Sequence, residues 1–327
     1  MRRREFLGVL GGAATVWPFR SLAQKAPIGI GLLGSGAANS AVSSAQIVAI
    51  KQGLRESGLI DGRDYVLEAR FAAGNYERFP ELARELAQAR VSVILTNTIA
   101  SVRAAQGLSP PLPIVMIAIN DPVGTGLVAS LARPGGHTTG MATLNEDLTP
   151  KLLEFERAIL PKAKVIAALF NPANPTNLTF LEDLRSRAGA MGITVQPAEL
   201  KSPDMLDAVF SSLAARHPDA LQVLADSGIG DLSDRIAGLA LSHRLPGFST
   251  VPTLTEYGFL LGYGQSRTKL FNRLAYFVKR ILEGANPGDL PVEQPTHVEL
   301  WINLKTAKTL GLDIPVQLQQ VADHVIE

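Results

Sequence analysis

The sequence predicts an α/β fold of two doubly wound lobes, each a parallel sheet with helices on both faces, closing on a ligand between them. Three observations predict it. Short, β-branched apolar runs alternate with stretches of helical spacing along the chain, the pattern that builds parallel sheets through crossover helices. The alternation falls into two similar sets, the second starting at Leu148, and no Pro-rich linker separates them, so the lobes share short hinges. Polar residues cluster just beyond the apolar runs, at the strand ends where α/β folds receive ligands.

In the first set, residues 28–33 form an apolar strand, and 42–57 a helix with Ile47, Ile50 and Leu54 on one face, ended at Gly58. Residues 64–71 read as a strand, 76–89 as a helix, and 91–95 as a buried strand followed by Thr96, Asn97, Thr98 and a helix to about Gln106. The unbroken apolar run 114–119 predicts a strand buried on both faces, stopped by Asn120-Asp121-Pro122. Apolar spacing predicts a short helix over 123–131, with Asp121 near its positive end, then a break at Arg133-Pro134-Gly135-Gly136 and a strand at 138–143. Together these suggest a ligand-facing edge followed by a crossing into the second lobe. In the second set, helices at 152–160, 174–190, 204–216 and 232–243 alternate with strands at 164–170, 193–199, 220–224 and 247–250. A strand at 259–264, an amphipathic helix at 267–283, a strand at 298–303 and a helix at 304–310 complete the chain.

At 327 residues the chain can build two cores. Lys plus Arg at 31 against Asp plus Glu at 30, without clustering, gives no field for nucleic acid or a membrane surface. There is no Cys, hence no disulfide, thiolate nucleophile, Cys-ligated zinc or lipid-anchored Cys. Arg3-Arg4-x-Phe6-Leu7 fits the twin-arginine export pattern. The apolar run 8–16 is too short to span a bilayer, and Ser21-Leu22-Ala23 supplies a small-x-small cleavage site, so residues 1–23 read as a signal peptide. An ordinary secretory signal with extra arginines is the alternative route.

Gly29-Ile30-Gly31-Leu32-Leu33-Gly34 matches G-x-G-x-x-G, which raises a nicotinamide-dependent oxidoreductase as a rival reading. In a dinucleotide turn the glycines follow the strand and open the helix; here they interrupt the strand's own apolar run. A strand-end turn at Gly34-Ser35-Gly36 that lets a ligand approach the backbone is the better reading. The five His residues are dispersed and form no metal-ligand spacing, and no G-x-S-x-G elbow is present. No metal, cofactor or catalytic group is therefore expected.

Asp121 to Gly140 reads Asp-Pro-Val-x-x-Gly-Leu-Val-x-Ser-Leu-x-Arg-Pro-Gly-Gly-x-x-Thr-Gly. This closely resembles the signature of a family of bacterial ABC-transporter substrate-binding proteins, some of them linked to aromatic amino acid uptake. Residues 171–175, 290–296 and 302–312 also resemble the family, and the resemblance runs the length of the chain. His137 stands where the family usually has Asn, and 226–231 lacks an expected aromatic-rich segment. The resemblance implies type I periplasmic binding protein architecture, with crossings near 140–147, 257–262 and 290–295. The first lobe is then 27–143 plus 262–290, and the second 144–261 plus 291–327. It implies a soluble periplasmic protein that captures a small amino-acid-like or carboxylate solute and presents it to an ABC permease and ATPase complex, without catalysis. A periplasmic sensor serving a signalling receptor is the other reading of the same architecture.

The candidate ligand contacts are the polar residues at strand ends facing the other lobe. In the first lobe these are Ser35, Thr96, Asn97, Thr98 and Asp121; in the second, Asn171, Asn174 and Asp226, with Tyr257 at a crossing. Hydroxyls, amides and helix N-termini suit a carboxylate, and Asp226 suits an ammonium. Asp121 and Asn171 serve equally well as Asx-Pro turn and helix-cap residues.

Overall fold

A computed structural model describes residues 26–143, 145–295 and 297–327, without the side chains of residues 145–147, 227, 267 and 268. The signal expected at residues 1–23, and Thr296 of the 290–296 match, lie outside the described residues.

The chain opens with β1 (Ile28–Gly34), α1 (Ala41–Glu56), β2 (Tyr65–Phe71), α2 (Phe79–Gln88), β3 (Val93–Thr96), α3 (Ile99–Gln106), β4 (Ile114–Asn120) and β5 (Thr138–Thr143). It continues through α4 (Asn145–Ile159), β6 (Val165–Phe170), α5 (Pro175–Ala190), β7 (Thr194–Glu199), α6 (Leu206–Arg216) and β8 (Ala220–Val223). Then come α7 (Ser227–Gly230), α8 (Ser233–Ser242), β9 (Gly247–Ser249), β10 (Leu261–Gln265) and α9 (Arg267–Leu282). The last elements are β11 (Val298–Asn303), α10 (Leu304–Leu310), α11 (Val316–Val321) and β12 (His324–Ile326).

Two sheets result. The first has the order β2-β1-β3-β4-β5, with every neighbouring pair parallel. Its inner strands β1, β3 and β4 are largely apolar because both faces are covered, whereas the edge strand β2 carries Glu68 and Arg70. Ile30 and Leu32 pack against α1 and α9 through Ile50, Leu54 and Leu274, while Leu33 packs against α2 and α3 through Leu82 and Val102. The second sheet has the order β12-β11-β10-β9-β8-β6-β7. Phe248 and Ile302 face α4 and α5, whereas Leu221 and Val223 face α6 and α8. One pair in it departs from the expected parallel pattern: β10 and β11 are antiparallel, from Leu261 opposite Ile302 to Gln265 opposite Val298.

That pair corrects the expected crossings. The β10–β11 hydrogen bonds keep the chain in the second sheet through Gln265, so the second crossing follows that residue instead of falling at 257–262. The third falls between Glu293 and β11, at or beyond the end of the expected 290–295, because Val292 and Glu293 still bond to the first lobe: their amides donate to the Leu131 and Gly140 carbonyls at 2.8 and 2.9 Å. The first crossing lies between β5 and α4, within the expected 140–147.

The helix expected over 123–131 is absent; the segment is a run of tight turns. The Thr125 amide donates to the Asp121 carbonyl and the Gly126 amide to the Val123 carbonyl, and Gly126 takes φ +71°. Two glycines and a proline in so short a segment cost more helix than its apolar spacing can recover. At Gly140, φ is +129° and an added Cβ would lie 2.4 Å from the Met116 carbonyl oxygen, so glycine there lets β5 lie against β4. Much of the 121–140 match thus shapes the first lobe itself.

Candidate functional site

A cavity of about 410 Å³ lies between the lobes. The first lobe contributes one face of α1 (Val42, Ala45, Gln46, Ala49), the β3–α3 junction (Asn97, Thr98, Ile99), the end of β4, and Leu270 and Phe271 of α9. The second contributes Asn174, Thr176 and Phe180 of α5, the segment from Val223 to Asp226, and residues between Thr250 and Tyr257, with Gln265 at a crossing. The walls are largely apolar; among the described lining residues Asp226, Glu256 and Tyr257 have ionisable side chains, and none is Lys, Arg or His. At the end of β4 a bulge shifts the register between Met116 and Ile119 and holds Ala118 at φ +53°, turning backbone toward the cavity. Such strained positions gather at ligand sites.

Asp226 is the most heavily bonded polar group. Its Oδ2 accepts from Tyr76 Oη at 2.8 Å, Asn174 Nδ2 at 2.9 Å and Asn171 Nδ2 at 3.4 Å, and its Oδ1 accepts from the Ile229 amide at 3.0 Å. Tyr76 belongs to the first lobe, so this bond ties the lobes together. Burial, and then the Asp226 charge, push the Tyr76 phenol far above its ordinary value, which keeps it a donor at any working pH. A second tie lies beside it: Asp231 Oδ2 accepts from the Ala37 amide at 2.6 Å. Burial raises the Asp231 carboxyl, opposed by its bonds to Ser40 and Ala37.

The structure brings Asn97, Thr98, Asn174, Asp226 and Tyr257 to the cavity. Thr98 also caps α3: its Oγ1 accepts from the Ser101 amide and bonds Ser101 Oγ. Asn174 caps α5, its Oδ1 accepting from the Thr176 amide. Ser35 and Thr96 are fully buried at the ends of β1 and β3 but do not line the cavity. Asn171 braces Asp226 from behind and is not a lining residue. Asp121 is exposed, is not a lining residue although its neighbour Asn120 is, and closes its own turn by accepting from the Gly124 amide at 2.8 Å. Tyr76, Asp231 and Gln265 were not anticipated. Extending the strand-end rule past Phe71, the end of β2, would have reached Tyr76.

Gly29, Gly31 and Gly34 all lie inside β1, and α1 starts only at Ala41 behind a Ser40 cap, so the glycine match opens no helix. Among the described residues, no group of three or more His, Cys, Asp or Glu could hold a metal ion. Nor is any described helix long and apolar enough to cross a membrane.

Residues 41–326 match the family described as ABC transporter substrate binding protein. The chain belongs to that family. A tyrosine-binding protein of Clostridioides difficile (strain R20291) is 26% identical over 260 residues, covering 79% of this substrate-binding protein and 74% of that one. A conserved domain protein from Vibrio cholerae superposes with a TM-score of 0.83 at 24% identity, covering 91% of this chain and 99% of that chain. An ABC domain from Streptococcus pneumonia in complex with L-Trp does so with a TM-score of 0.80 at 24% identity, covering 91% and 100%. The fold is that of the type I periplasmic binding proteins. Members of the family are substrate-binding proteins, not enzymes.

Proposed function

We propose that the protein is the exported substrate-binding component of an ABC importer and captures a small amino-acid-like or carboxylate solute by closing its lobes. The observation that carries this reading is the cavity between two lobes that the Tyr76–Asp226 hydrogen bond ties together, in a chain of this family. Phe180, Leu254 and Phe271 offer apolar walls, and polar groups sit at either end. Such walls with a few convergent polar groups suit a small organic solute. The named ligands of relatives, tyrosine and L-Trp, have that chemistry. The closed form would be presented to a permease and ATPase complex, and the protein would carry out no catalysis. The oxidoreductase reading loses its motif, since the glycines are part of a strand.

A thermal-shift screen of residues 24–327 against amino acids and small carboxylates tests this. A ligand at 100 times its dissociation constant adds roughly 2.7 kcal/mol of stability. No stabilisation by any of them, with micromolar binding of NAD or NADP, would contradict the reading. Arg3-Arg4 motivates twin-arginine export to the periplasm. The double variant Arg3→Lys, Arg4→Lys should leave precursor in the cytoplasm; normal export would rule out that route.

A further inference from the structure

β10 ends at Gln265, from which the chain crosses to α9 in the first lobe. In the sheet Gln265 pairs with Val298, where the chain has just returned from its third crossing. The residue therefore sits at two of the crossings at once. Its side chain lines the cavity. The amide nitrogen, Nε2, is shielded from solvent and has no hydrogen-bond partner among the described residues. A glutamine amide nitrogen carries two N–H donors, and leaving such a group buried and unpaired is costly. The polar pair at the first crossing does not meet this need, because Thr143 Oγ1 donates to Asn120 Oδ1 at 3.1 Å.

We propose that Gln265 anchors the ligand: its amide donates to a carboxylate oxygen of the bound solute at the hinge end of the cavity. This rests on the reading of the protein as a binder of an amino-acid-like or carboxylate solute. Among the described residues no Lys, Arg or His lines the cavity, so the described donors available to a carboxylate there are neutral. The Thr98 hydroxyl is engaged in its capping box, whereas the Gln265 amide is unspent. Asp226, beyond β8 in the same lobe, has room for the cationic end of a zwitterion at Oδ1, which accepts from the Ile229 amide while Oδ2 takes the other donors. A residue at the pivot moves little when lobes turn about it. The Gln265 contact is thus available before closure, while the Tyr76–Asp226 bond forms only when the lobes meet.

The test compares the parent protein with Gln265→Met and Gln265→Glu. Binding of L-tryptophan, L-tyrosine and benzoate is measured by titration calorimetry, beside melting of the unliganded proteins. The Met variant keeps the side chain's length and removes the donors. It should melt with the parent and bind about tenfold or more weakly, the loss expected for a charge-assisted hydrogen bond. The Glu variant should bind more weakly still, because it sets a carboxylate against a carboxylate. Tryptamine, which lacks the carboxylate, should distinguish little between parent and Gln265→Met. Unchanged affinity in Gln265→Met overturns the assignment. Tighter binding by Gln265→Glu also overturns it, since the ligand would then present a donor. A loss of affinity matched by an equal loss of unliganded stability assigns Gln265 a structural role instead. A parent that binds none of the carboxylate probes refutes capture of a carboxylate solute and this anchor with it. Binding untouched by Gln265→Met refutes the anchor alone.

Discussion

Removing one oxygen, in Tyr76→Phe, should weaken ligand capture although Tyr76 does not line the cavity. The phenol donates to Asp226 at 2.8 Å across the two lobes, so under the proposed capture by closure this bond would favour the closed form. A hydrogen bond to a charged acceptor contributes about 1.5–3 kcal/mol. The lower end applies here, because Asn174, Asn171 and the Ile229 amide still donate to Asp226 within its own lobe. A loss of about 1.5 kcal/mol is roughly tenfold in affinity, and it should appear mainly as faster release. Packing is retained, since the ring contact with Phe79, with centroids 5.3 Å apart, survives in phenylalanine. Titration calorimetry with L-tryptophan and L-tyrosine reads the affinity, stopped-flow fluorescence the release rate, and melting of the unliganded protein serves as the control. A variant that binds and releases these probes like the parent would refute the reasoning. So would an equal loss of unliganded stability, which would make Tyr76 a structural residue.

Two further predictions concern residues whose stability role the structure isolates. Glu156 on α4 is fully buried, neither carboxylate oxygen has a partner among the described residues, and burial pushes its pKa up from 4.5 to about 8. Between those values the folded protein holds a proton that the unfolded chain releases, so stability falls as pH rises. One pKa unit is about 1.4 kcal/mol, which caps the effect near 5 kcal/mol. Glu156→Met should therefore melt above the parent at pH 8 by a margin that narrows toward pH 5; a margin independent of pH would count against this. Thr98→Ala should cost about 1 kcal/mol of stability through the lost cap and leave affinity for L-tryptophan intact, because the hydroxyl is engaged with Ser101. Reduced affinity at unchanged stability would make Thr98 a ligand contact instead.

Sequence reading reached the architecture because each element carries its own local signal. The α10 helix is bracketed by an Asn303 cap and a left-handed Gly311, and its expected bounds are those observed. The run 114–119 is apolar on both alternations because β4 is covered on both faces. Elsewhere the local signal misled. The apolar residues between Val123 and Leu131 have helical spacing, yet glycines and Pro122 turn them into loops. Short α11 and β12 carry too little pattern to be seen, and β12 exists only by pairing with β11. At the site, strand-end polarity pointed to Asn97, Asn174 and Asp226, which the fold gathers at one cavity. It also pointed to Asp121, whose identical chemistry is used for a turn. Tyr76 and Gln265 were illegible for a different reason. One meets its partner 150 residues away, and the other becomes a cavity group only because β10 pairs antiparallel with β11.

The central claim is that the two lobes close around a small solute, and small-angle X-ray scattering of the mature protein tests it most directly. Profiles would be recorded without ligand and with saturating L-tryptophan or L-tyrosine, whichever stabilises the protein in the screen. The account predicts a smaller radius of gyration with ligand, and a weaker response in Tyr76→Phe at subsaturating ligand. An unchanged radius of gyration at a concentration where calorimetry shows the site filled would contradict capture by closure.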